Sequence, residues 1–140
     1  RAALARGARI IIFPEGTRKA PLAPPDYRNG IVRLYQGLGV PVVPVALNSG
    51  LFWGRNSPLL WPGTARARFL PAIAPGLDAD LFRARLTGAI EEETERLVLL
   101  AADEGLRRPI GPLLRSRIDQ LRARRSQADA ETPHIDGPTT

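Results

Sequence analysis

Apolar positions along the chain change their spacing several times, and each change marks an element. Residues 9–13, Arg-Ile-Ile-Ile-Phe, form a short branched apolar run stopped by Pro14, the pattern of a buried strand. Just before it, residues 2–6 read as the last turn of a helix, with Gly7 as its stop. Residues 15–29 are polar and Pro-rich, so they form a loop. Ile31, Leu34, Tyr35 and Leu38 then recur at helical spacing over residues 30–38, and Gly39 closes the helix. Residues 40–47 are again apolar and β-branched. Their two prolines cannot donate to a ladder, which predicts an edge strand.

Over residues 64–70, Ala65, Ala67 and Phe69 alternate with Arg66 and Arg68, predicting a strand with one wet face. The longest periodic segment is residues 78–103. Phe82, Leu86, Ile90, Leu97 and Ala101 share one face, Gly105 ends the segment, and Glu91, Glu92, Glu93 and Glu95 read as a solvated face. Residues 110–125 predict a basic amphipathic helix on Ile110, Leu114, Ile118 and Leu121, and residues 126–140 a disordered tail. The order strand, helix, strand, strand, helix predicts the α/β class, a layered sheet with flanking helices. Residues 34–54 carry no charge and are long enough to cross a bilayer. Repeated Gly and Pro within them would leave backbone groups unpaired in lipid, so no membrane span is expected there.

Composition narrows the chemistry. The 140 residues contain no Cys and one His, His134, which excludes disulfides, thiolate metal sites and multi-histidine metal sites. The chain begins with Arg1 and has no Met, so it is expected to start inside a longer protein. An almost pure Arg basic set, with abundant Ala, Gly and Pro, suggests a GC-rich bacterial genome. The net charge of +6 is uneven. Residues 1–60 hold eight basic and two acidic side chains, and residues 61–140 hold twelve of each. The basic surplus attracts phosphates, acidic lipid surfaces or nucleic acid.

The surplus surrounds the most informative motif, Phe13-Pro14-Glu15-Gly16-Thr17-Arg18, which follows the first predicted strand. The loop after a strand of an α/β sheet is a common ligand site. Gly16 permits a tight turn. Arg18 offers a planar fork for two phosphate oxygens, Glu15 can hold that fork or accept a hydroxyl, and Thr17 adds a donor. Taken alone, the same six residues also suit an ordinary surface loop with a Glu–Arg pair.

Sequence order adds weight. The hexapeptide resembles the third signature block of the glycerolipid acyltransferase family. Val40-Pro41-Val42-Val43-Pro44-Val45 resembles the fourth block, a proline-containing strand beside the acyl-donor groove. Between them, Tyr27-Arg28-Asn29-Gly30 resembles the aromatic-basic-x-Gly step before the intervening helix. The likeness covers residues 1–100. It implies transfer of a fatty acyl group from acyl-CoA or acyl carrier protein to the free hydroxyl of lysophosphatidic acid, giving phosphatidic acid, with no cofactor beyond the thioester co-substrate. It implies phosphate binding by Glu15, Gly16, Thr17, Arg18 and Arg28, and an acyl-donor groove along Val40, Pro41, Val42, Val43, Pro44 and Val45. It also implies attachment to the cytoplasmic face of a bacterial inner membrane.

The family's catalytic His and Asp, separated by four residues, are not in this chain: Thr139 stands five positions after His134. The resemblance therefore implies that residues 1–109 are the C-terminal half of a domain lacking its N-terminal half, inactive alone, with the general base upstream. Lys19 stands where the family often has Ser, and residues 20–26 are unusually Pro-rich, which bears on the acceptor. Another lysophospholipid or a lyso-ornithine lipid is an alternative acceptor. A non-catalytic basic binding module is the alternative from another class. Nucleic acid is not the expected partner, because the few aromatic residues do not interleave with the arginines. Leu51-Phe52-Trp53-Gly54-Arg55 and Trp61 could meet acyl chains or the membrane interface, and core packing after a strand suits them at least as well.

Overall fold

The computed structural model describes residues 2–131. In chain order the elements are α1 (Ala2–Ala5), α2 (Asn29–Leu38), β1 (Val45–Leu47), a 3-10 turn (Ser49–Leu51), β2 (Ala67–Phe69), α3 (Ala79–Asp103) and α4 (Pro112–Glu131). The chain is mixed α/β. Its sheet has two antiparallel strands, with Val45 opposite Phe69, Ala46 opposite Arg68 and Leu47 opposite Ala67.

The helix boundaries follow from local chemistry. Gly7 and Gly39 adopt φ of 82° and 64°, the left-handed conformation that ends helices. Asp78 caps α3 by accepting from the N–H groups of Asp80 and Leu81. α3 then forms the spine, packing against α2, β1 and α4. Its first half meets Val32, Tyr35 and Ile73 through Phe82 and Leu86. Its second half meets Leu51, Phe52 and Ile118 through Val98 and Ala101. On α2, Val32 is buried and Leu34 is 40% exposed, so the inward stripe is rotated from the predicted one.

Residues 9–13 depart from expectation. They form no strand, and Ile11 and Phe13 are 85% and 69% exposed. A strand needs a neighbour to satisfy its backbone groups, and none lies alongside among the described residues. The edge strand is shorter than predicted. Its ladder covers Val45–Leu47, with an isolated bridge from Val42 to Ile73, because Pro44 offers only its carbonyl, taken by Leu70 N–H at 2.9 Å.

The faces of β2 are reversed. Phe69 is 75% exposed, while Arg68 pairs across at 3.1 Å with Glu93, a buried residue of α3. Arg66 reaches Glu104 with both guanidinium arms at 2.9 and 2.7 Å. Glu93 was expected in a solvated face; it is buried instead and takes Arg68 as its partner, while Arg66 goes to Glu104.

α4 continues to Glu131, so residues 126–131 of the expected tail are helical. Its arginines serve α3: Arg122 pairs with Asp103 and Arg124 with Glu95. His134 and the remainder of the expected tail lie outside the described residues.

One glycine marks a close approach. A Cβ on Gly63, at φ 155°, would stand 2.1 Å from the ring of buried Phe52. Gly63→Ala is expected to destabilise by about 1–3 kcal/mol, read as a lower urea midpoint. An unchanged midpoint would contradict this packing.

Candidate functional site

The hexapeptide forms a turn. Gly16 N–H donates to the Phe13 carbonyl at 3.0 Å, and Gly16 takes φ 65°, which suits its missing Cβ. The Pro14 carbonyl accepts from Arg28 N–H at 2.8 Å. That bond ties the two ends of the Pro-rich loop together. It brings Arg28 beside Gly16, where a Cβ would be 4.0 Å from the Arg28 Cγ. Residues far apart in the loop, Glu15, Gly16 and Arg28, therefore share one knot.

Within the knot the pairing differs from the expected one. Glu15 accepts from Asp26 N–H at 3.2 Å and lies 3.6 Å from the Lys19 ammonium. Lys19 also reaches Asp26 at 3.7 Å and donates to the Pro24 carbonyl at 3.1 Å. Glu15 thus braces the loop rather than Arg18. The physical reason is competition: Lys19, one turn on, supplies a flexible ammonium where Glu15 needs a cation. Arg28 pairs with Asp26 at 3.8 Å. These are partly exposed pairs worth about 0–1 kcal/mol each, so they set shape more than stability.

Arg18 is exposed and lies over the Trp53 ring, 4.5 Å from its centroid. Among the described residues no acceptor takes its N–H groups, so they remain available as donors. Arg18 makes no ion pair among the described residues.

The second block lies further off. Pro44 is fully buried, Val42 exchanges both backbone bonds with Ile73 at 3.0 and 2.8 Å, and Val43 is 50% exposed. Two hollows, of about 480 and 300 Å³, are lined respectively by Tyr35, Gln36, Gly39 and residues 75–77, and by Phe52, Ala101 and residues 62–64 and 104–107. Neither takes a wall from residues 15–18, Arg28 or residues 40–45. Val42 and Pro44 are spent on packing, and Val43 and Val45 lie on an open sheet face. The motif loop instead meets the segment after β1, where Gly50 lies against Pro21 and Lys19.

Tyr27 and Glu91 are a pair that sequence reasoning missed. The Tyr27 hydroxyl donates to the Glu91 carboxylate at 2.8 Å. Sixty-four positions separate them, so no local spacing signals the contact. Arg83 adds a second tie, donating to the Tyr27 carbonyl at 3.0 Å and to the Asn29 side chain. α3 thereby holds the start of α2 and, through Arg28, the motif turn.

Burial pushes the Glu91 carboxyl above the usual carboxylate range, and nearby Glu15 and Glu95 add to this. The Tyr27 hydrogen bond and Lys19 oppose it. Burial, then Glu91, likewise raises the Tyr27 phenol. Above the ordinary carboxylate value the native state retains a proton that the unfolded chain has released. Stability from this site is thus full at low pH and declines as pH rises through the raised Glu91 value. Glu91→Gln keeps an acceptor for Tyr27 and is expected to flatten that decline, read as Tm across an acid-to-neutral series. An unaltered slope would contradict the assignment.

Comparison with known proteins points to the same family as the motifs. The profile of the Acyltransferase family matches residues 1–48. Over 70 residues, 50% of this chain, the sequence is 36% identical to a 1-acyl-sn-glycerol-3-phosphate acyltransferase from Pseudomonas aeruginosa. The chain spans 27% of that relative's length. No solved structure matches. The family match over residues 1–48 includes the knotted turn, and both comparisons support a likeness to the glycerolipid acyltransferases.

Proposed function

We propose that this chain supplies the acceptor-phosphate grip of an acyltransferase acting on lysophosphatidic acid in phospholipid synthesis. The observation that carries the reading is the guanidinium of Arg18, held over Trp53 with its N–H donors available, on a turn knotted to Arg28. A phosphate monoester offers paired oxygens that match such a fork. Thr17 adds a donor at the same turn, and Arg28 adds charge. Glu15 serves by fixing the loop through Lys19 and Asp26.

In the reaction, the acceptor hydroxyl oxygen attacks the thioester carbonyl. The new C–O bond forms as the C–S bond breaks, and the proton passes through a general base to the departing thiol. The His–Asp pair that would take the proton is not among these 140 residues. We place it upstream in the intact protein, where a base positioned near the hydroxyl contributes in the ordinary way. The donor is acyl-CoA or acyl carrier protein. The site works at the cytoplasmic face of the inner membrane, although no helix among the described residues is long and apolar enough to cross one.

The layered sheet belongs to the same proposal. Exposed residues 9–13, and an outer face of β1 and β2 bearing Val43, Leu47 and Phe69, are apolar surfaces that a larger sheet would cover.

The test is an acyl-transfer assay on the intact protein containing this chain, with palmitoyl-CoA and a panel of lysolipids. Phosphatidic acid from lysophosphatidic acid is the expected product, and the 140 residues alone are expected to yield none. Product only from a phosphate-free acceptor would overturn the assignment of the acceptor. Robust turnover by the 140 residues would overturn the placement of the base.

A further inference from the structure

Residues 27–77 contain five arginines and no Asp or Glu. In their midst stands a hairpin, residues 53–61, whose Trp53 backs Arg18 and whose Leu59 and Leu60 belong to neither the core nor the proposed phosphate grip. Trp53 and Leu60 form an antiparallel bridge, and Trp61 N–H donates to the Phe52 carbonyl at 2.9 Å. The turn is locked: the Trp53 indole N–H donates to the Ser57 carbonyl at 3.1 Å, Leu59 N–H donates to the Ser57 hydroxyl at 3.1 Å, and Asn56 takes φ 55°. A loop fixed in this way would normally tuck its large side chains inward. Here Trp53, Leu59 and Leu60 are 50%, 59% and 71% exposed.

Charge identifies what covers them. Arg55 is exposed in the turn, and Arg18 lies against the Trp53 ring. Glu104, which lines a hollow together with Phe52, is engaged on both oxygens by Arg66. Indole, leucine and guanidinium together, without a free carboxylate, match the boundary between acyl chains and anionic headgroups. We propose that the hairpin of residues 53–61 docks on an anionic lipid surface. Trp53, Leu59 and Leu60 enter the boundary, while Arg55 and Arg18 stand among the headgroup phosphates. This docking holds whether or not Arg18 also grips an acceptor. If it does, the hairpin delivers that grip to headgroup depth.

Trp53 and Trp61 are the two tryptophans of the chain, so indole emission reports on the hairpin directly. The probe is phosphatidylcholine vesicles with or without phosphatidylglycerol, plain or brominated along the acyl chains. With phosphatidylglycerol, emission is expected to shift to the blue and to be quenched by the brominated lipid. The double substitution Leu59→Ser, Leu60→Ser lowers vesicle affinity by about tenfold or more. Both side chains lie outside the core, and an unchanged circular dichroism spectrum verifies the fold. Arg55→Gln weakens binding to phosphatidylglycerol vesicles alone. Binding with emission unmoved would overturn the proposal, assigning attachment to another basic face. So would absence of binding, or shielding of the tryptophans by self-association in sedimentation. Acyl transfer is read separately, so failure here leaves the proposed function standing.

Discussion

Replacing Arg18 with alanine in the intact enzyme is expected to lower kcat/KM for lysophosphatidic acid by about a hundredfold or more. A charge-assisted hydrogen bond contributes about 1.5–3 kcal/mol, and a bidentate fork makes two such bonds. Each 1.4 kcal/mol is about tenfold in rate or affinity, so even the low end of this range gives about two orders of magnitude. The turn should survive the change. Gly16 and Arg28 are held by backbone bonds, and Glu15 by Lys19 and Asp26, none of which involves Arg18. The loss then belongs to recognition rather than folding. Activity within roughly threefold of the parent would refute the assignment of Arg18.

The largest effect on stability is expected at Phe82. Its side chain is 0% exposed and stacks on Tyr35, with ring centroids 3.7 Å apart and planes 4° from parallel. Phe82→Ala removes the centre of the cluster formed with Val32, Ile73 and Leu86. The expected cost is about 3–5 kcal/mol, a large share of the roughly 5–15 kcal/mol typical of a native domain. The damage would spread. Tyr35 donates to the Ala74 carbonyl at 2.6 Å and accepts from Leu77 N–H at 2.9 Å, so its hydroxyl pins residues 74–77 to α2. Urea denaturation reads the effect directly. A loss below about 1 kcal/mol would mean that the cluster re-forms around the cavity.

The parts of the fold that the sequence made legible are those decided locally. Gly7, Gly39 and Asp78 mark helix ends because a left-handed glycine or a capping carboxylate acts within a few residues. The inward face of α3 followed from period alone, with Phe82, Leu86, Leu97 and Ala101 all buried. Long-range pairing was not legible. The alternation of β2 pointed Ala67 and Phe69 inward, yet Glu93, twenty-five positions after Arg68, reversed the strand's faces. Residues 9–13 have a strand's composition, but strand pairing depends on a neighbour that the run itself does not encode. α4 outlasts its apolar pattern because Arg122 and Arg124 find acids on α3.

The site divides in the same way. Gly16 and the phosphate-matching type of Arg18 were readable from the motif. The competition of Lys19 for Glu15 was visible as a neighbouring charge, although its outcome needed geometry. Trp53 under Arg18, and Glu91 under Tyr27, join residues too distant in sequence for spacing to reveal.

Selectivity for the phosphate tests the central claim most directly. Intact protein and its Arg18→Ala variant would be given lysophosphatidic acid and the matching monoacylglycerol, which differ only in that group. The parent should favour the phosphorylated acceptor by about a hundredfold, and the variant should lose most of that preference, keeping only what Thr17 and Arg28 supply. If the substitution depresses both acceptors by the same factor, Arg18 does not read the phosphate, and the proposed grip is wrong.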